Sequence, residues 1–418
     1  MPVATTNRTS VLERFLSYVQ VDTQSAEDSE TYPSTLKQLV LLDQLAAELR
    51  AMGIADATRD EHGYVFATLP ANSPKADVPV IGFLAHVDTA LDFSGTGVKP
   101  IVHRAWSGQD IVLPDDPTVV LRVQDLPALT RQIGNDIVTA SGTTLLGADD
   151  KAGVAEIMAA MEFLLNHPEI PHGAVRIGFT PDEEVGAGTK YFDVKRFGAR
   201  FAYTMDGEER GGIDVETFSA DTMTIVFQGF VTHPGYAKGL LVNAIKIAAR
   251  FISLLPRDRL SPETTEGREG YVHPIGMDAD VDRTSVRLLI RDFTTAGLQE
   301  KEAMLERLAR QAAGEWPGSS VTVRVEEAYR NFKEALDRHP EIIENAREAM
   351  RRAGVTPHDG AIRGGTDGSR LSFMGLPTPN LFTGGHNYHS RIEWASVQDM
   401  EKAVEVIVNL CRIWEERA

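Results

Sequence analysis

Apolar positions recur along this chain with two periods, and the switches between them mark out the elements. From residue 11 to about 52 they return every three or four positions, which predicts two helices. The second helix carries Leu36, Leu39, Val40, Leu45 and Leu49 on one side and stops at Gly53. Residues 64–69 and 80–85 read as strands, the latter apolar on both faces, as a central strand covered by helices would be. Residues 174–180 and 201–205 are of the same type. Between these pairs a helix runs from Lys151 to about Asn166, with Ala155, Met158, Met161, Leu164 and Leu165 as its buried stripe. Strands and helices alternating in this way predict an α/β sandwich on a mostly parallel sheet.

The pattern changes near Gly211-Gly212. Residues 216–228 alternate apolar and polar, 239–254 are helical, 284–292 form a strand, 296–313 a helix and 321–327 a strand. Two helices among strands of antiparallel type predict an α+β unit of about a hundred residues. After Asn331 the first pattern resumes, with helices at 340–353 and 396–416 around a strand at 378–382. The simplest organisation is a discontinuous α/β catalytic domain, residues 1–215 and 329–418, with a second domain inserted at 216–328.

A chain of 418 residues fits that two-domain reading. Sixty acidic against 42 basic residues, a net charge of -18, argue against nucleic acid or an anionic membrane as partner. The single cysteine, Cys411, excludes an internal disulfide and suits a reducing compartment. Residues 1–10 are polar and lack the apolar stretch of a signal peptide, and no run approaches the ~20 apolar residues of a membrane span. A cytoplasmic location is therefore expected. Oligomeric state has no signature here.

The candidate chemistry lies where predicted strands end. His86-Val87-Asp88 follows the strand ending at Ala85, and Pro181-Asp182-Glu183-Glu184 follows Thr180. Asp206 follows Met205, and Asp149-Asp150 opens the helix. His389 follows the strand ending near Phe382. In open parallel sheets ligands bind beyond the carboxyl ends of strands. One acid before a helix is an ordinary complement to its dipole, but two adjacent ionised carboxylates ask for a cation. Two imidazoles with several carboxylates suit Zn, Co or Mn. They are too many for one catalytic zinc with an open position, and suit two metals about 3.5–4 Å apart sharing a carboxylate. The adjacent glutamates then divide into one ligand and one general base, because a base beside the reacting water must not itself be a ligand.

The stretches HVDT, LLGADDKAG, PDEEVGAG, MDG, THPG, SPETTEGREGYVH, IRDF and RGGTDGSRLSFMGLPTPNLFTGG resemble the dinuclear-zinc exopeptidase and deacylase family, which includes carboxypeptidase G, amino-acid deacylases and the tripeptide aminopeptidases called peptidase T. The metal motifs are shared across that family, whereas SPETTEG and RGGTDG are those of its tripeptide aminopeptidases. The resemblance runs from about Arg14 to the terminal helix. It implies a metal-dependent aminopeptidase that releases the N-terminal residue of tripeptides with two Zn²⁺ ions, for which Co²⁺ or Mn²⁺ could substitute. It implies that His86, Asp149, Glu184, Asp206 and His389 are the metal ligands, with Asp149 bridging, a cis peptide after it, Glu183 as base and Asp88 orienting His86. The inserted domain would be a ferredoxin-like lid of four strands and two helices. Within it, His233 would help polarise the scissile carbonyl. Arg363 would grip the substrate's terminal carboxylate. The sequence departs from the family at His386, where tyrosine is usual, which points to a substrate-side or inert histidine. The alternatives are a related zinc dipeptidase or N-acyl amino acid deacylase, or a non-catalytic binding protein on the same fold. Glu183 argues against the last.

Overall fold

Ile81–His86 is buried at every position, as its two-faced apolar run requires. It lies inside an eight-stranded sheet in the computed structural model, which describes residues 8–418. The reading of residues 1–7 lies outside the described part. The sheet order is Thr58–Arg59, Val65–Leu69, Val175–Thr180, Ile81–His86, Phe201–Gly207, Asn380–Phe382, Gly212–Thr217, His358–Ile362. The four strands from Val175–Thr180 to Asn380–Phe382 are mutually parallel. Val65–Leu69 and Gly212–Thr217 flank them antiparallel. The four parallel strands put their carboxyl ends along one edge, where His86, Thr180 and Phe382 stand.

The helix Ala148–Asn166 packs on the strands Ile81–His86 and Phe201–Gly207, and on the terminal helix Val397–Glu416. Its expected stripe is buried apart from half-exposed Leu165, but so are Ile157, Ala159 and Ala160. The helix is covered on both sides, so its apolar surface runs nearly all round. The helix Gln38–Ala51 starts later than the pattern predicts. Leu36 and Val40 are exposed, and Leu41, Leu42, Leu45, Ala46 and Leu49 form the buried face. The cause is polar: the Ser34 N–H and hydroxyl donate to Asp182 at 2.6 and 2.5 Å, which holds the preceding turn out of the helix.

A small antiparallel sheet joins Gly385–His386, Trp394–Ser396, Ile137–Thr139 and Ile101–His103. It fixes both ends of the loop that carries His389. Among the described residues no helix is long and apolar enough to cross a membrane.

The chain divides into two compact units, and the second comprises Glu216–Lys333 with Ala361–Gly365. The run 216–228 is two strands. Gly212–Thr217 belongs to the large sheet, and after Phe218 the chain continues as Ser219–Gln228 in a four-stranded antiparallel sheet. That sheet has the order Tyr271–Ala279, Arg283–Asp292, Ser219–Gln228, Ser320–Tyr329. The helices Ala244–Leu254 and Thr295–Gly314 cover one face, burying Ile247, Phe251, Leu298 and Leu305 against Ile225, Phe227, Leu288 and Ile290. Strand, helix, two strands, helix, strand is the ferredoxin-like order. Tyr271–Ala279 escaped the sequence pattern because Pro274 and Gly276 interrupt it, and the pairing register shifts there.

Gly153 decides how closely the helix Ala148–Asn166 can lie on the sheet. A Cβ there would stand 1.9 Å from the Met205 carbonyl oxygen and 2.6 Å from Asp150 Oδ1. Alanine is the better helix former by about 1 kcal/mol. Overpacking against backbone costs about 1–3 kcal/mol or more and should win. Gly153→Ala is therefore expected to lower the unfolding free energy measured by denaturant titration. A more stable variant would show that the helix can move away from the strand.

Candidate metal centre

Asp88 organises the edge of the sheet. It is fully buried, two residues beyond the strand that ends at His86. Its Oδ1 accepts the Glu183 N–H at 3.0 Å, and its Oδ2 accepts the Glu184 N–H at 3.1 Å. The same Oδ1 lies 3.3 Å from His86 Nδ1. One carboxylate thus holds the first histidine and both glutamates. The next turn is held from behind. The Asp182 backbone is left-handed at φ 59, and its buried side chain accepts from Ser34 and from Gln38 Nε2 at 2.7 Å.

Five side chains meet in front of these supports. His86 Nε2 lies 2.9 Å from Asp149 Oδ1 and 3.7 Å from Asp206 Oδ1. His389 Nε2 lies 3.4 Å from Asp149 Oδ2 and 2.9 Å from Glu184 Oε2. The two oxygens of Asp149 therefore face the two imidazoles separately. The peptide Asp149–Asp150 is cis. Two groups of three could hold a metal ion: His86, Asp149 and Glu184, and His86, Asp150 and Asp206. Asp150 in the second group was not anticipated. Its Oδ2 accepts the His86 N–H at 3.1 Å, so it faces the strand rather than the second histidine.

Charge in this pocket is unbalanced. Burial and neighbouring Asp149 raise the carboxyls of Glu184 and Asp206 to about 7. Burial, then the facing Asp367, holds Glu183 well above the usual carboxyl range. His389 is pushed up to about 11 by its hydrogen bonds to Asp149 and Glu184. Burial would lower His86, but its bonds to Asp149, Asp206 and Asp88 outweigh that and hold it well above 6.5. Glu184 Oε1 is buried without a hydrogen-bond partner among the described residues. Carboxylates crowded like this, with an orphaned oxygen and two imidazoles in reach, fit divalent ions that take nitrogen and oxygen ligands.

His386 is buried, stacks on Trp394 at a ring separation of 4.2 Å and, like His389, belongs to neither metal group. It lines a cavity of about 300 Å³ with Arg131, Gln132 and Arg210. In the second unit, His233 Nδ1 accepts the Gly235 N–H at 3.1 Å, so the ring proton sits on Nε2. Arg363 donates to the carbonyls of Gly267 and Glu269, both at 2.9 Å, and to Thr265 Oγ1 at 2.8 Å. Its guanidinium lies over Phe218 and Tyr271.

The sequence profile of peptidase family M20/M25/M40 matches residues 141–412. The chain belongs to that family. Within it, the chain is 48% identical to a peptidase T of Brevibacillus brevis over 411 residues, 98% of this chain and 100% of that one. It is 47% identical to a peptidase T of Clostridium botulinum, covering 97% and 99%. Among solved structures, aminopeptidase PepT of Bacillus cereus superposes with a TM-score of 0.76 at 25% identity, covering 98% and 99%. A Bacillus subtilis M20 protein described as a dinuclear metal-binding peptidase shares the fold, with a TM-score of 0.66 at 16% identity over 98% and 99% of the two chains.

One supporting residue was given no role in the sequence. Buried Glu393 accepts the N–H groups of Leu146 and Gly147, each at 2.7 Å, and of Asp149 at 3.1 Å. It fixes the turn that delivers Asp149. Its only sequence signal was its place four residues after His389.

The raised carboxyls make a pH prediction. Glu184 and Asp206 titrate near 7 in the fold, against ordinary values of 4.5 and 3.8. Between those values the folded metal-stripped protein binds more protons than the unfolded chain, so its stability falls as pH rises from about 4 to about 7. Metal ions take the ionised forms and reverse that preference. Denaturant titrations should show the decline in stripped protein and not in metal-loaded protein. A flat profile for the stripped protein would mean that these carboxyls ionise without a metal.

Proposed function

We propose that this chain is an aminopeptidase that releases the N-terminal residue of tripeptides, with two zinc ions held by His86, Asp149, Glu184, Asp206 and His389. Asp149 carries the reading, because its two oxygens face His86 Nε2 and His389 Nε2 separately, as a bridging carboxylate's would. The zinc ions, when bound, supply Lewis-acid activation of the scissile carbonyl and of the attacking water. The chain's own residues supply the rest. Asp88 holds Nδ1 of His86, through its carbonyl at 3.1 Å and its Oδ1 at 3.3 Å, and the backbone N–H of Glu183. Glu183 takes the proton from the attacking water and returns it to the leaving amine. His233, with its proton on Nε2, is assigned as a donor to the developing oxyanion. Asp206 approaches His86, and Glu184 lies 2.9 Å from His389 while also grouping with His86 and Asp149.

The division of the glutamate pair is tested by paired variants. Glu183→Gln is expected to lower turnover at least ~10²-fold while both metals stay bound, and Glu184→Gln to lose metal. If Glu183→Gln loses metal and Glu184→Gln does not, the two roles are exchanged.

Arg363 is assigned to the substrate's terminal carboxylate. Its bonds go to uncharged carbonyls and a hydroxyl, so its positive charge is not matched by an acid among those partners. A planar guanidinium can pair both oxygens of a carboxylate. Each residue of an extended peptide adds ~3.3–3.6 Å, so a fixed carboxylate site would measure substrate length. Wild-type protein should release an amino acid from a tripeptide far faster than from its C-terminal amide, a dipeptide or an N-acetyl amino acid. Arg363→Ala should damage tripeptide hydrolysis far more than amide hydrolysis. Equal loss on both would reduce Arg363 to a brace for the Thr265–Glu269 loop. Preference for the N-acetyl substrate would favour the deacylase reading.

A further inference from the structure

The loop after the first sheet strand reaches the metal centre twice. At its start, Asp88 meets His86 Nδ1. Four residues on, Asp92 Oδ2 lies 3.2 Å from Nδ1 of His389. Each imidazole thus turns Nε2 to Asp149 and Nδ1 to an aspartate, and both aspartates come from the one segment 86–92. The position of Asp92 is built. Gln24 Nε2 donates to the carbonyls of Ala90 and Phe93, both at 2.9 Å, and so ties the backbone on either side of it. The guanidinium of Arg391, two residues beyond His389, lies 5.7 Å from the centre of the Phe93 ring. The two loops therefore touch at two points.

His389 needs such support. It is 45% exposed, and both it and Asn387 adopt the left-handed backbone, at φ 56 and 57. Strand pairing holds His386 and Trp394, but the residues between them are outside the ladder. A side chain on such a loop can rotate away, and its ring can carry the proton on either nitrogen. An acceptor at Nδ1 removes both freedoms and keeps Nε2 facing Glu184 and Asp149, where it can give up its proton to bind a metal ion.

We infer that Asp92 is the positioning residue for His389, fixing its tautomer and ring direction for metal binding as Asp88 does for His86. This rests on His389 being a metal ligand. The contact itself is an exposed ion pair and adds little to folding stability. Its effect falls on metal affinity, because losing an outer carboxylate of this kind typically weakens binding about 10–100-fold.

The test is a Zn²⁺ titration of metal-stripped protein against a chromophoric chelator, on wild type, Asp92→Ala, Asp92→Asn and Asp92→Glu. Wild type should bind two ions. Asp92→Ala should weaken one of them about 10–100-fold and leave the other as it was. Asp92→Asn, which keeps an acceptor without the charge, should fall between. Asp92→Glu should recover part of the loss. The Tm of the stripped proteins should not differ. Two ions bound equally tightly by wild type and Asp92→Ala would overturn the inference and leave the metal centre standing. So would a fall in turnover with unchanged metal affinity, which would place Asp92 on the substrate. Fewer than two ions on wild type would overturn the dinuclear reading and this inference with it.

Discussion

Crowding carboxylates at the end of a buried sheet costs free energy, and much of the first unit's polar architecture offsets that cost. Asp88, Asp149, Glu183, Glu184 and Asp206 share one pocket. Desolvation and mutual repulsion each oppose ionisation there. The fold responds in two ways. Supporting carboxylates receive backbone N–H groups: two for Asp88, three for Glu393. The front carboxylates are left to the imidazoles. That division separates acids that shape the site from acids that bind in it.

The sheet makes the arrangement possible by bringing distant segments to one edge. His86 and Asp206 lie at the ends of two adjacent parallel strands, and Glu183 lies three residues beyond the end of a third, so strand spacing sets much of their separation. Asp149 comes from the helix side, and Gly153 lets that helix approach the strand of Asp206 at backbone distance. His389 is the exception. It arrives on a left-handed loop between two short strands, so its placement depends on side-chain contacts with neighbouring loops.

This difference explains what was legible in the sequence. Ile81–His86 announced itself because a run apolar on both faces has few other uses, and the charged residues just beyond it marked the site edge. The helix at 38–51 was read in the wrong phase, because nothing local shows that Ser34 is committed to Asp182, 148 residues away. Asp150 and Glu393 were given no role of their own for the same reason. Their bonds to the His86 N–H and to the Leu146–Asp149 turn exist only once the sheet and closing loop are in place. Residue type and spacing point to the candidate side chains. The ones that hold them are distinguished by partners far away in the chain.

The second unit repeats that logic with one amide. Asn331 Oδ1 accepts the N–H groups of Thr217 and Lys333, at 3.1 and 3.0 Å. Its Nδ2 donates to Glu216 Oε1 at 3.1 Å and to the Phe293 carbonyl at 2.9 Å. Its own N–H donates to Ser219 Oγ at 2.9 Å. Buried Asn331 therefore ties the strand that begins the unit to the segment that ends it, so both ends of a 118-residue stretch, Glu216 to Lys333, are pinned together. A unit closed at its own base can be carried by another fold without distorting it. The segment Ala361–Gly365 groups with this unit for a related reason. The Phe218 N–H donates to the Ile362 carbonyl, and Arg363 braces the Thr265–Glu269 loop. A boundary drawn from hydrophobic pattern alone cuts at 328 and assigns those five residues to the other domain. Their hydrogen bonds place them with the strands they hold, and that puts Arg363 on the same body as His233.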